Sequence, residues 1–286
     1  MKLRTRLVVG ASALVVARTL VELRNERARR RSAELQLGDL VRETALDLVG
    51  FDHRRPTVEP EIAIVIAAYN EADGIGGVLA ALPSELSGHR VTPIVVVDGG
   101  SDDTAGVVER AGHIAVSHRI NRGQGDALRT GFALALERQA AVVVTMDADG
   151  QHRPDELPNL VQPVLADEAD YVQGSRYLGT YDDAGGERDA GIRVFTAIIN
   201  GVSGAGITDC TNGYRAIRGD ALGRLRLEEP RFSASEIIIE SARRGLRMQE
   251  VSVHIQSREF GESKKPRRLA YPIGYLGAIV RTWRRG

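Results

Sequence analysis

From Ile62 to Met146 short, almost unbroken apolar runs alternate with segments of helical periodicity. Ile62–Ala67, Pro93–Val97 and Ala140–Met146 have the composition of strands covered on both faces. Ile114–Ser117 reads as a further short strand, and Gly74–Leu82, Asp102–Ala111 and Gly125–Arg138 read as helices. That alternation predicts an α/β fold with a right-handed, mostly parallel central sheet flanked by helices. Beyond Pro154 the pattern loosens. It predicts helices over Asp155–Leu165, Gly191–Val202 and Ser233–Arg244, and strands at Tyr171–Gly174, Gly213–Ile217 and Met248–Ile255. The Gly/Asp-rich stretch Gly179–Gly191 reads as a loop.

The long apolar runs end in polar clusters: Tyr69-Asn70-Glu71, Asp98-Gly99-Gly100-Ser101, and Asp147-Ala148-Asp149-Gly150-Gln151-His152. Open α/β sheets bind ligands at the carboxyl ends of their strands. Two aspartates one residue apart at such an end suit a hard divalent cation, Mg2+ or Mn2+, which takes oxygen ligands and bridges carboxylates to phosphate oxygens. The pair therefore points to a nucleoside diphosphate compound. A strand-to-loop turn uses the same residue types, so the pair alone leaves both readings open.

Composition adds the outer parts of the picture. Of 38 basic and 38 acidic residues, nine Lys/Arg and two Glu fall in residues 1–31, and eight Lys/Arg and two Glu in residues 258–286. The 21 basic and 34 acidic residues between them make an acidic body with two basic ends. Residues 1–60 read as a basic, apolar helical extension and linker, residues 61–257 as the main domain, and residues 258–286 as a basic segment and interfacial tail. Leu7–Ala17 is too short to span a bilayer. Leu269–Trp283 carries Tyr271, Tyr275 and Trp283 between basic clusters, as a headgroup layer favours. Both ends fit peripheral attachment to anionic lipid, and no nucleic-acid motif accompanies their charge. The single cysteine, Cys210, excludes an intrachain disulfide and a cysteine-based metal cluster.

Seven segments in order, AAYNE (Ala67–Glu71), DGGSDDT (Asp98–Thr104), NRGQGDALRTG (Asn121–Gly131), DADGQH (Asp147–His152), GSR (Gly174–Arg176), DCTNGYR (Asp209–Arg215) and REFGESK (Arg258–Lys264), resemble family 2 glycosyltransferases. The resemblance is strongest to the dolichol-phosphate mannosyltransferase-like branch, which glycosylates polyprenyl phosphates. It implies a GT-A fold, a nucleotide-sugar donor such as GDP-mannose or a UDP-sugar, and a polyprenyl phosphate acceptor met at the cytoplasmic face of a membrane. By the same resemblance Tyr69, Glu71 and Asp98 hold the base and ribose. Gly123 and Gly125 allow close backbone approach to the nucleotide, while Asp147, Asp149 and Gln151 hold the metal. Arg176 and Arg215 sit near the phosphates, and Arg258, Ser263 and Lys264 close over them. Arg188 and Arg193 are candidates for the acceptor phosphate. The family usually has a second aspartate after Asp98, where this chain has Gly99. The third position of a dinucleotide-binding G-x-G-x-x-G is Leu128, which sets that motif aside.

A phosphate monoester has its second pKa near about 6, so a lipid phosphate is already an anionic nucleophile at neutral pH. A sugar hydroxyl would instead need a carboxylate base, for which Asp209 and Glu236 are the candidates. Alternatives are a family 2 transferase acting on a saccharide or soluble acceptor, and a sugar nucleotidyltransferase, whose Gly-rich N-terminal signature is absent.

Overall fold

In the computed structural model of the chain, residues 60–182, 186–257 and 270–285 are described. They belong to one unit, residues 55–286. The expectations for residues 1–59 and for Arg258, Ser263 and Lys264 lie outside the described residues, as does the side chain of Arg188.

The described elements are β1 (Glu61–Ala68), α1 (Ala72–Ala80), β2 (Glu85–Leu86), β3 (His89–Asp98), α2 (Thr104–Arg110), β4 (Ile114–His118), α3 (Gln124–Glu137) and β5 (Val142–Asp147). A 3-10 turn at Pro154–Glu156 leads into α4 (Leu157–Leu165). Then follow β6 (Tyr171–Tyr181), α5 (Gly186–Ser203), β7 (Arg215–Arg218), the single turn α6 (Gly219–Leu222), α7 (Ser233–Arg243), β8 (Met248–Ile255) and α8 (Ala270–Arg284).

The strands form one 8-stranded sheet in the order β2-β3-β1-β5-β7-β6-β8, with β4 also paired to β3. β1 runs parallel to β3 and β5, and β4 parallel to β3. β7 is antiparallel to both β5 and β6, and β2 is antiparallel to β3. β6 pairs with β8 in parallel, so only β7 and the short β2 run against the rest, and the predicted mostly parallel sheet is met in part as a mixed one. The physical reason is that a strand buried on both faces has the same apolar composition whichever way it runs.

Side chains alternate across β1. Ile62, Ile64 and Ile66 face a core layer with Ile75, Leu79, Val108, Leu157 and Leu160 of α1, α2 and α4. Ala63 and Val65 face a second layer with Leu128, Phe132, Ile199, Ile238 and Ile279 of α3, α5, α7 and α8. The result is helix layers on both faces of the sheet, which leaves the strand ends as the accessible edge.

Two of the boundaries that differ from the predicted ones lie next to the site. β6 continues to Tyr181 because its outer half pairs with β8 beyond an irregularity between Ser175 and Thr180. α5 begins at Gly186, so most of the expected loop is strand or helix.

Candidate active site at the carboxyl edge of the sheet

Three parallel strands deliver their polar ends to one edge: Tyr69–Glu71 after β1, Asp98–Ser101 at the end of β3, and Asp147–His152 at the end of β5. The chain moves outward from β1 to β3 and β4, then returns to place β5 on the other side of β1. The crevice between β1 and β5 is thus a topological switch point, where such sheets bind ligands. Because β7 runs the opposite way, its entry, Asn212–Tyr214, arrives at the same edge.

The loop after β5 is braced from below. The amide of Asp147 donates to His152 Nδ1 at 3.0 Å, and His152 Nε2 contacts Asn212 Oδ1 at 2.9 Å. With Nδ1 accepting that amide, Nε2 is the ring nitrogen that donates to Asn212. The ring also stacks on Tyr214, with centroids 4.8 Å apart. Asn212 in turn donates to Gly174 O at 2.8 Å and accepts the Tyr214 amide at 3.1 Å, tying β5, β6 and β7 together. Gly213 leaves room for the motif, since a Cβ there would lie 2.9 Å from Asp147 Oδ1.

Above this floor Asp147 is half-buried, and Gln124 Nε2 approaches its Oδ1 at 3.4 Å. Asp149 is buried and accepts the Gln151 amide at 3.1 Å. Gln151 Nε2 donates to Gln256 O at 3.1 Å, so its amide oxygen is the end left for another partner. Among the described residues no three His, Cys, Asp or Glu gather into a metal cage. Two carboxylates and an amide oxygen are nevertheless the donor set a hard cation takes when substrate phosphates complete its shell. The residues fit Mg2+ or Mn2+ on that ground.

At the end of β3, Asp98 is buried and accepts three hydrogen bonds: His118 Nδ1 at 2.7 Å, Arg122 N at 2.9 Å and Gly123 N at 2.7 Å. Burial opposes its ionisation, but these three bonds outweigh it and hold the carboxyl below its usual range. Three of its roughly four lone-pair positions are occupied by the chain itself. Asp98 therefore shapes the loop from Arg119 to Gly123. His118, which also reaches Thr130 Oγ1 at 3.0 Å, stands out in no sequence motif. The available signal is register, because Asp98 and His118 are direct partners on β3 and β4.

The same loop explains the missing second aspartate. Gly99 has φ +71°, and a Cβ on it would lie 2.6 Å from the Asn121 amide nitrogen. The chain's own backbone fills the place of a side chain. On the β3 side of β1, Asn70 Oδ1 accepts the Ser101 amide at 2.9 Å, and the first amides of α1 are satisfied from the β3 loop. Glu71 N donates to Thr104 Oγ1 and Ala72 N to Asp102 Oδ2, each at 2.9 Å. Glu71 is half-buried and Tyr69 exposed at the mouth.

Gly123 and Gly125 bring the backbone close to the Glu229–Pro230 segment. A Cβ at Gly125 would lie 1.9 Å from Glu229 O, and one at Gly123 2.4 Å from Pro230 O. The Gly125 amide already donates to Pro230 O at 2.7 Å. These glycines seat the start of α3 on the Glu229–Pro230 backbone.

Of the sequence-selected arginines, Arg176 lies midway along β6, where the pairing with β8 becomes irregular. Its Nε donates to Asp209 Oδ2 at 2.6 Å and its Nη2 to Thr211 Oγ1 at 3.1 Å. Asp209 is fully buried beneath it. Arg215 is also buried, and its guanidinium is turned to backbone carbonyls: Nε and Nη2 to Asn212 O at 3.0 and 2.8 Å, Nη1 to Ala234 O at 3.2 Å. It braces the Asn212 turn and is not an open phosphate ligand. Glu236, also buried, accepts the amides of Glu228 and Glu229 at 2.7 and 2.9 Å. Arg193 is exposed, 4.7 Å over the Tyr177 ring. Tyr177 and Tyr181 hydroxyls both donate to Asp189, at 2.6 and 2.8 Å. Burial, then the Asp189 bond, pushes the Tyr177 pKa up. This tyrosine–Asp189–Arg193 group falls in no sequence motif, because β6 and α5 extend into the expected loop.

Residues 63–226 match the family model described as glycosyl transferase family 2. An undecaprenyl-phosphate mannosyltransferase of Micrococcus luteus is 33% identical over 215 residues, 71% of this chain and 86% of that protein. A UDP-N-acetylglucosamine–dolichyl-phosphate N-acetylglucosaminyltransferase of Methanococcus voltae is 30% identical over 218 residues, 67% of this chain and 84% of that one. Among solved structures, glucosyl-3-phosphoglycerate synthase from Mycobacterium tuberculosis, in complex with Mn2+, UDP-glucose and phosphoglyceric acid, superposes with TM-score 0.62 at 19% identity, covering 78% of this chain and 80% of that chain. At that identity the likeness concerns the fold, which is that of the GT-A enzymes.

Proposed function

The chain belongs to glycosyl transferase family 2 and is a glycosyltransferase, and from that premise we propose that it moves a hexose from a nucleotide sugar to a polyprenyl phosphate. The reaction is metal-dependent, inverts the anomeric carbon and takes place at the cytoplasmic face of a membrane. The observation that carries this reading is the Asp147–Gln151 loop, held by His152 and Asn212 at the switch-point crevice. The relatives of 30% identity or more named above are polyprenyl-phosphate sugar transferases, which supports the acceptor.

Asp147, Asp149 and Gln151 are the residues that would hold Mg2+ or Mn2+, and the ion, when bound, offsets charge on the diphosphate leaving group. The chain's residues do the rest by placement. Tyr69 and Glu71 line the mouth on the base and ribose side, and Asp98 fixes the Arg122–Gly123 backbone beside them. Arg176, oriented by Asp209, faces the phosphates with a planar fork suited to phosphate oxygens, and Arg193 adds an exposed cation for the acceptor. The acceptor phosphate oxygen bonds to the anomeric carbon as the bond to the diphosphate breaks, and the nucleoside diphosphate leaves with the electron pair. No proton has to be removed from an anionic phosphate. The burial of Asp209 under Arg176 fits that chemistry, because an enclosed carboxylate already paired with Arg176 is not open to a substrate hydroxyl.

A second reading has a specific observation behind it: the solved structures of like fold bind phosphoglyceric acid, a soluble acceptor, with UDP-glucose and Mn2+. We rank it second because that identity is 19%. Among the described residues no helix is long and apolar enough to cross a membrane, so attachment to the bilayer is proposed as peripheral. Incubating the protein with radiolabelled nucleotide sugars and polyprenyl phosphate, followed by organic extraction, tests donor and acceptor together.

A further inference from the structure

Helix α8 is apolar on two sides. Its inner side buries Tyr275, Ala278, Ile279 and Thr282, with the Tyr275 ring 4.7 Å from that of Phe195 and 5.8 Å from that of Phe232. Its outer side carries Ile273, Leu276, Val280 and Trp283, exposed by 72%, 39%, 43% and 53%. Their spacing places them in one stripe along the helix.

The same helix grips the segment that seats the donor loop. Arg281 forms a two-bond pair with Glu229, at 2.8 and 2.7 Å. Arg285 pairs with Glu228 at 3.1 Å and with Glu236. Glu236 accepts the amides of Glu228 and Glu229, which fixes the backbone that presents Glu229 O and Pro230 O to Gly125 and Gly123. Gly123 is in turn bonded to Asp98. One chain of contacts therefore runs from the exposed stripe to the loop on the donor side.

We propose that α8 lies on an anionic lipid bilayer by the Ile273–Trp283 stripe, and that the Arg281–Glu229 pair transmits this docking to the Gly123–Gly125 loop, so that membrane and donor nucleotide strengthen each other's binding. Charge selects the lipid surface. The helix carries Arg281 and Arg284 and no Asp or Glu, and Arg284 is exposed in its last turn. These cations complement anionic headgroups, whereas a second copy of the chain would present the same cations to them. An aromatic residue at the end of an apolar stripe suits the headgroup layer. The coupling extends the proposed function, while the docking can be observed without turnover.

Trp283 is the chain's single tryptophan, so its emission reports on this helix alone. Full-length protein is titrated with phosphatidylcholine vesicles containing phosphatidylserine, with and without Mn2+ and UDP or GDP. The emission should move to shorter wavelength on vesicle binding, and nucleotide should tighten vesicle binding by about fivefold or more. By reciprocity, vesicles should tighten nucleotide binding, measured calorimetrically, by the same factor. Arg281→Gln should keep the spectral shift and lose the coupling. Leu276→Asp, on the exposed face, should lose the shift and keep vesicle-free nucleotide affinity. No shift in the wild type, or short-wavelength emission from a vesicle-free dimer, overturns the docking. Equal coupling in wild type and Arg281→Gln overturns the transmission. A chain that docks but binds neither nucleotide contradicts the donor reading and the coupling with it, whereas one that binds nucleotide without docking contradicts only the inference about α8.

Discussion

Arg176 Nε donates to Asp209 Oδ2 at 2.6 Å, and the carboxylate beneath it is fully buried. The pair makes Asp209 the group that aims Arg176. Asp209→Ala should cost about 3–5 kcal/mol of stability, because it leaves a buried guanidinium uncompensated, and urea melts measure this. Asp209→Asn should be milder and should raise KM for the acceptor more than it lowers kcat. Loss of kcat with unchanged acceptor KM and stability would make Asp209 a base instead.

Asp149 and Asp147 should fail in a different way. Asp149→Ala should lower transfer on the order of 10³-fold, since several kcal/mol of charge stabilisation depend on the ion. The Mn2+ affinity measured by titration should fall in parallel, and Asp149→Asn, which keeps an acceptor for the Gln151 amide, should lose Mn2+ affinity with little change in the thermal melt. Retained turnover with lost metal binding would remove the metal from the chemistry.

Gly125→Ala brings a methyl group to 1.9 Å from Glu229 O. Such overpacking costs about 1–3 kcal/mol, and the nucleotide Kd should weaken along with the denaturant midpoint. Gly150→Ala is the control, because nothing lies within 4 Å of a Cβ there. Its φ of +75° restricts its cost to backbone strain. Equal effects on nucleotide affinity in the two variants would contradict the seating role of Gly125.

Asp98 gives a pH signature. Its folded pKa is lowered, because the bonds from His118, Arg122 and Gly123 outweigh the cost of burial. A depressed carboxyl contributes stability that is fully present above its unfolded value of about 3.9 and is lost as pH falls through the folded value. The stability gap between wild type and Asp98→Asn should therefore be widest near neutrality and narrow below about pH 4. A gap constant with pH would mean that the carboxylate charge is not what holds the loop.

Cys210 is buried, and burial raises its thiol pKa. A thiol reagent should label the native protein negligibly and the unfolded protein completely, which makes the single cysteine a probe of global unfolding. Rapid native labelling would show that the Tyr275–Cys210 contact of α8, at 3.2 Å to the backbone oxygen, opens readily.

The parallel half of the sheet was legible because β1, β3 and β5 are continuous apolar runs that end in polar clusters. The direction of β7 was not, because pairing direction leaves no mark on a strand covered on both faces. The site divides in the same way. Asp147, Asp149 and Gln151 are adjacent in sequence and stand together as a motif. His118 and Asn212 act through partners 20 and 60 residues away, Asp98 and His152, and only strand register brings them together. The contact of Gly123 and Gly125 with Glu229–Pro230 was not legible, because no local pattern connects that segment to them. Arg215 illustrates the limit of carrying a role by resemblance: its residue type suits a phosphate, yet its rotamer spends the guanidinium on Asn212 O and Ala234 O.

The most direct measurement of the central claim is transfer from radiolabelled GDP-mannose or UDP-sugars, with polyprenyl phosphate and phosphoglyceric acid supplied as competing acceptors. Label should enter the organic phase only with Mg2+ or Mn2+ present, and should be absent with Asp149→Ala. Label that stays in the aqueous phase on phosphoglycerate, or that reaches lipid equally well in the Asp149→Ala protein, would contradict it.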